Sequence, residues 1–159
     1  VIPRAVYDTM VFYQWAILPK GRLHGTARAA INGSVRLCLS STLAAEIKDL
    51  LNRPAIQARS RFLTPELVNR FLEQIIQHAE WMSNVPNVFT WPEHSDDDHL
   101  FNLAIFAKAR YLVTWEKRIL GLSTSATKSA DLLRKLAPRL TIITPTQFAA
   151  ELRVSADQR

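Results

Sequence analysis

The sequence predicts an α/β fold with a mainly parallel central sheet and helices on both of its faces. Three observations carry that prediction. Short β-prone runs at Arg4–Tyr7, Val35–Leu39, Tyr111–Thr114 and Thr141–Ile143 alternate with longer segments of helical periodicity, the order expected of a parallel sheet. The stretch 95–115, SDDDHLFNLAIFAKARYLVTW, passes from three consecutive carboxylates through a helix apolar on nearly all sides into a β-prone run, which places a buried helix before a core strand. The chain has 159 residues, the size of one domain able to bury its own core.

Taken in order, Arg4–Tyr7 is a short strand ending at Asp8. Val11 to Leu18 begins a helix that Pro19 and Gly21 break. A second helical piece runs from about Leu23 to Ile31 and stops at Asn32-Gly33, a helix-stop signal. After the strand Val35–Leu39, Ser40-Ser41-Thr42 offers caps to a helix whose stripe is Leu43, Ile47, Leu50 and Leu51; Asn52-Arg53-Pro54 ends it. Thr64-Pro65 opens the next helix, with Pro in the favoured first position, and its stripe is expected to run through about Trp81. Pro86 to Pro92 connects to the acid cluster, where Ser95 is expected to cap the helix. The strand Tyr111–Thr114 follows, then a basic helix Ala126–Leu136, the strand Thr141–Ile143 and a short helix Pro145–Leu152. One domain spans 1–153, and 154–159 form a polar tail expected to be disordered.

Net charge is +6 and the isoelectric point about 9.9, unevenly distributed. Residues 62–116 hold three Lys/Arg and eight Asp/Glu, a balance of −5. Residues 20–61 carry eight and two (+6), and residues 117–159 eight and three (+5). An acidic middle between basic arms suits a site for a cation and a polyanion together; unevenly solvated charge is a common alternative, and polyanion binding is preferred to it. The single cysteine, Cys38, lies in the apolar run Leu37–Leu39, so it reads as a buried hydrophobe and no internal disulfide can form. A reducing, cytoplasmic setting is expected. No apolar run approaches the ~20 residues of a membrane span, and Met10–Pro19 lacks the flanks of a signal peptide.

Parallel sheets bind ligands beyond the carboxyl ends of their strands, at the point where strand order reverses. Asp8 ends the first strand, Glu116 lies just past the strand 111–114, and Asp98 opens the helix leading into it. Glu46 projects on an apolar helix stripe, where a carboxylate is costly unless a cation meets it; at the stripe's edge it could instead reach water. The triplet Asp96–Asp98 fits a helix N-terminus, which attracts negative charge. It equally fits a cation site, because adjacent acids repel. Both readings stay open on residue pattern alone. His94 and His99 flank the acids and read as polar surface.

At these residues the chain resembles the PIN-domain family, in particular its VapC-like toxin branch. The family's pattern reads here as Asp8 in YDTM, Glu46 in LAAEI, Asp98 in DDDHL and Glu116 in LVTWEKRIL, over about Arg4 to Leu152. The resemblance implies a three-layer α-β-α PIN-like fold around a mainly parallel sheet of about five strands. It also implies a Mg²⁺- or Mn²⁺-dependent ribonuclease, the toxin of a toxin–antitoxin pair, with RNA and a cognate antitoxin protein as partners and room for a homodimer. Asp8, Glu46, Asp98 and Glu116 would then be the catalytic, metal-binding residues, supported by Thr9, Asp97 and Thr114. Arg53, Trp115, Lys117 and Arg118 would hold the RNA. Three positions depart from the family: Met10 replaces an Asn, Trp115-Glu116 a Gly-Asp pair, and Arg118 a further Asp. Met10 and Arg118 favour the alternative, a weak or inactive PIN scaffold that binds RNA or protein. An aspartyl-phosphate phosphatase, suggested by Asp8-Thr9, is disfavoured, because that chemistry wants an acid where Met10 stands.

Overall fold

The computed structural model describes residues 1–17, 25–61 and 63–157. Five strands form one all-parallel sheet: β1 (Arg4–Tyr7), β2 (Arg36–Leu39), β3 (Ala79–Trp81), β4 (Tyr111–Val113) and β5 (Thr141–Ile143), in the order β3-β2-β1-β4-β5. The inner strands are short and almost wholly buried, as apolar strands covered on both faces must be. From β1 the chain steps outward to β2 and β3, then crosses back to lay β4 on the other side of β1. The register pairs Tyr7 with Val113, and Asp8 N–H donates to Val113 C=O at 3.0 Å. Asp8 and Thr114 therefore leave the sheet side by side at its switch point.

Helices flank the sheet: α1 (Thr9–Ala16), α2 (Gly25–Ile31), α3 (Ser41–Leu51), α4 (Pro54–Arg59), α5 (Pro65–His78), α6 (Asp98–Phe106), α7 (Lys117–Gly121), α8 (Lys128–Leu136) and α9 (Pro145–Asp157). The caps follow local chemistry. Ser40, Thr64 and Thr127 each accept, through the side-chain oxygen, the N–H three residues on, satisfying a donor the helix leaves free. α3 packs against α1, α5 and α6, α6 lies on β1 and β2, and α2 packs against α9. On α3 the buried stripe is Leu43, Ile47 and Leu51. Phe148 of α9 packs edge-on against Tyr7 and Tyr111, and the buried Tyr7 hydroxyl donates to Thr26 C=O at 2.8 Å.

Cys38 is fully buried. Burial, with repulsion from Glu80 and a smaller pull from Arg4 and Arg36, pushes its thiol up to about 12. The thiolate is the reactive form, so iodoacetamide at neutral pH is expected to label Cys38 only on unfolding. Labelling of native protein at the rate of a free thiol would contradict this burial.

Several expectations need correction. The helix expected through Trp81 ends at His78, and Ala79–Trp81 becomes the edge strand β3, in register Leu37↔Ala79 to Leu39↔Trp81. These residues also fit a helical stripe; the free edge of β2 decides, because pairing satisfies backbone groups on both strands. The Arg4 guanidinium donates to both Glu80 carboxylate oxygens at 2.8 and 2.9 Å, tying β1 to β3 across β2. Ser95 caps nothing: Pro92–Asp97 is a 3₁₀ helix, and α6 starts only at Asp98. α6 is buried at Leu100–Ala104, but Phe106 at its end is exposed. The short helices α4 and α7 were not expected. α9 runs to Asp157, past the expected end at Leu152. The break at Pro19-Gly21, the residues Leu18 and Leu23 and the last two residues of the tail lie outside the described residues.

Candidate active site

Acids from four segments lie around the switch point without closing on a common centre. Asp8 is fixed by its surroundings. Thr9 donates to Oδ1 through its backbone N–H at 2.7 Å and its hydroxyl at 3.2 Å, and the fully buried Thr114 hydroxyl donates to Oδ2 at 2.8 Å. Thr114 in turn accepts the Glu116 N–H at 3.0 Å, so one hydroxyl links the ends of β1 and β4. Asp8 is thus oriented without any polar group at position 10; Met10 is exposed.

Glu46 leaves α3 toward α6, where His99 Nε2 stands 2.9 Å from its Oε1. Burial pushes the Glu46 carboxyl up and nearby Asp8 and Asp97 add repulsion, while His99 pulls it back without reversing the direction. The partner of this acid at the stripe's edge is therefore an imidazole from the neighbouring helix, while the rest of the carboxylate reaches solvent. His99 is not polar surface: its side chain is 17% exposed, and Nδ1 is buried without a hydrogen-bond partner among the described residues. The signal for this pair was Glu46 on a stripe and His99 on the first turn of a buried helix.

The acid triplet divides. Asp96 is exposed. Asp97, 18% exposed, accepts from Arg118 Nη2 at 3.1 Å, and the same guanidinium nitrogen is 3.5 Å from Glu116 Oε1. Asp98 Oδ1 instead accepts the Trp91 N–H at 2.8 Å. Asp98 also lines a cavity of about 500 Å³ with Ser41, Asn84, Asn87 and His99. Of the two acids, Asp97 shares Arg118 with Glu116 and lies near enough to repel Glu46, while Asp98 holds the preceding loop.

Asn102, which sequence reading passed over, organises this corner. Its Oδ1 accepts the Val88 and Phe89 N–H groups, both at 2.9 Å; its Nδ2 donates at 3.0 Å to Asn87 Oδ1, Phe89 C=O and Asp98 C=O. A lone Asn within an apolar helix was the available signal, since a buried amide must be satisfied.

The residues expected to hold RNA are partly engaged elsewhere. Arg53 donates to Asp49 at 2.9 Å, and Arg118 is bonded within the acid cluster. Lys117 is exposed. Trp115 is exposed, its indole N–H donates to Gln14 at 2.7 Å, and it borders a cavity of about 360 Å³ with Thr26, Pro145 and Arg153.

Two Asp and two Glu carboxylates are the donors a hard divalent cation takes, and the long side chains of Glu46 and Glu116 are 42% and 44% exposed. By donor chemistry the set fits such an ion. In the arrangement present, no three His, Cys, Asp or Glu among the described residues stand close enough to hold one; Arg118 and His99 occupy the carboxylates instead.

A family model described as "PIN domain" matches residues 4–118. No curated protein and no solved structure matches the chain. No helix among the described residues is long and apolar enough to cross a membrane. With the parallel order β3-β2-β1-β4-β5 and acids gathered where that order reverses, the match over most of the chain establishes that this protein belongs to the PIN-domain family, whose members are generally metal-dependent nucleases acting on nucleic acid.

Proposed function

We propose that the protein is a Mg²⁺- or Mn²⁺-dependent endoribonuclease, the cytoplasmic toxin of a toxin–antitoxin pair neutralised by a cognate antitoxin. The observation that supports the nuclease reading is Asp8 at the switch point, linked through the Thr114 hydroxyl to the Glu116 backbone, with Asp97 joined to Glu116 through Arg118. Asp97 takes the ligand role that sequence pattern gave to Asp98, and Asp98 becomes the support, because its carboxylate already holds Trp91. When bound, the cation would supply an activated water and offset charge on the phosphate. The chain's own part is to hold Asp8 rigid through Thr9 and Thr114, and to offer Glu46 and Glu116 as adjustable arms. Lys117 and Trp115 would meet the RNA backbone and a base.

Cleavage of single-stranded RNA in Mn²⁺, abolished by EDTA, is the expected result. The second reading, a binding module on a PIN scaffold, is favoured by Arg118 inside the acid cluster. It wins if RNA is bound but not cleaved at any Mn²⁺ or Mg²⁺ level. Under either reading affinity should fall steeply with salt, because phosphate contacts release counterions. Lys117→Ala is expected to make the slope of log K against log salt shallower by about 0.7, the single-strand value per contact; an unchanged slope would remove Lys117 from the RNA path.

A further inference from the structure

We infer that Arg118 is the acid cluster's own counter-ion and competes with a divalent cation for Asp97 and Glu116. The inference rests on reading the cluster as a cation site. Its geometry is direct: one guanidinium nitrogen lies 3.1 Å from Asp97 Oδ2 and 3.5 Å from Glu116 Oε1. Those two acids come from different elements, Asp97 from the mouth of α6 and Glu116 from the turn between β4 and α7. Arg118 itself sits in the first turn of α7, two residues beyond Glu116. Asp97 and Glu116 both reach this one guanidinium nitrogen, and two like charges brought that close repel. A fixed positive charge between them relieves that repulsion. A guanidinium forms strong charge-assisted bonds to carboxylates and keeps its charge at every working pH. The side chain is 46% exposed, so it can swing into solvent when an ion arrives.

The consequence is a raised threshold for metal. An incoming ion must displace Arg118 from two of its ligands, and the displaced guanidinium stays tethered nearby. Removing the guanidinium should therefore strengthen ion binding, the reverse of what loss of a ligand or of a structural support would do.

The test is Mn²⁺ binding by titration calorimetry at neutral pH, on wild type, Arg118→Ala, Arg118→Gln and Asp8→Asn, each first shown folded by circular dichroism. Both Arg118 variants should bind Mn²⁺ roughly ten-fold or more tightly than wild type, as expected for removing a charge within 4 Å of two ligands. Their melting temperatures should rise more on adding Mn²⁺ than that of wild type, since a tighter ligand stabilises more. Asp8→Asn should bind more weakly. In wild type, the Arg118 Nε–Hε resonance should shift when Mg²⁺ is added. If the Arg118 variants bind Mn²⁺ no more tightly than a wild type that does bind it, the counter-ion role is overturned and the metal-site reading stands. If no protein in the set binds Mn²⁺, the metal-site reading fails and the competition fails with it.

Discussion

Asp8→Asn is expected to lower RNA cleavage by about 100-fold or more while leaving the fold in place. The carboxylate is buried, lies at the switch point, and is held from both sides by Thr9 and Thr114. Losing a partner that merely orients a metal ligand costs roughly 10–100-fold, so loss of the ligand charge itself should cost at least the upper end. Asn is nearly isosteric and keeps an oxygen for the Thr9 N–H, so stability should change little. The same substitution at the neighbouring acids separates their roles. Asp97→Asn should reduce cleavage and Mn²⁺ affinity strongly. Asp98→Asn should act mainly on stability, since Asp98 bonds the Trp91 N–H. Cleavage rates per folded molecule and Mn²⁺ titrations check all three. If Asp98→Asn proves the more damaging to Mn²⁺ affinity, the exchange of roles between Asp97 and Asp98 is wrong.

The choice between Asp97 and Asp98 lies where the sequence is least informative. Four strands were legible because buried parallel strands are continuous apolar runs bounded by turn signals, as at Ala5–Tyr7 and Leu37–Leu39. β3 was not, because Ala79-Glu80-Trp81 has no such run; it is a strand only because β2 offers a free edge at that height. Asp8 and Glu116 could be placed from the strands they follow. Within Asp96-Asp97-Asp98, by contrast, successive residues on a helical turn point about 100° apart. Which acid faces Glu46 thus depends on where the 3₁₀ segment gives way to α6, a boundary set by the loop packed against it. Side-chain pairing across elements was also invisible. Arg118 looked like a phosphate contact and His99 like surface, because their partners lie 21 and 53 residues away in sequence.

Asn102→Leu is expected to destabilise the protein by about 3–5 kcal/mol. Leu fills a similar volume in a helix whose neighbours Leu100, Phe101 and Leu103 are buried, so packing alone would tolerate it. The hydrogen bonds would not. Leu leaves the Val88 and Phe89 N–H groups and the Phe89 carbonyl without their partner, and each buried polar group left unsatisfied costs about 1–3 kcal/mol. Val88 is exposed and water can replace its bond, which sets the total below the sum. Against the ~5–15 kcal/mol that stabilises a typical domain, this is a large fraction. Asn102→Asp should be at least as severe, because it turns a negative charge toward Asn87 Oδ1 and the carbonyls of Phe89 and Asp98, where the native amide donates. Asn87→Ala removes one bond at an exposed position and should cost under about 1 kcal/mol. The loss should reach the site as well, since Phe89 precedes by two residues the Trp91 whose N–H binds Asp98 at the start of α6. Urea denaturation measures the first effect, and Mn²⁺ titration well below the melting temperature the second. A midpoint for Asn102→Leu within error of wild type would mean the 87–91 loop is held by its apolar contacts, Phe89 on Phe101 and Trp91 on Phe101, rather than by this amide.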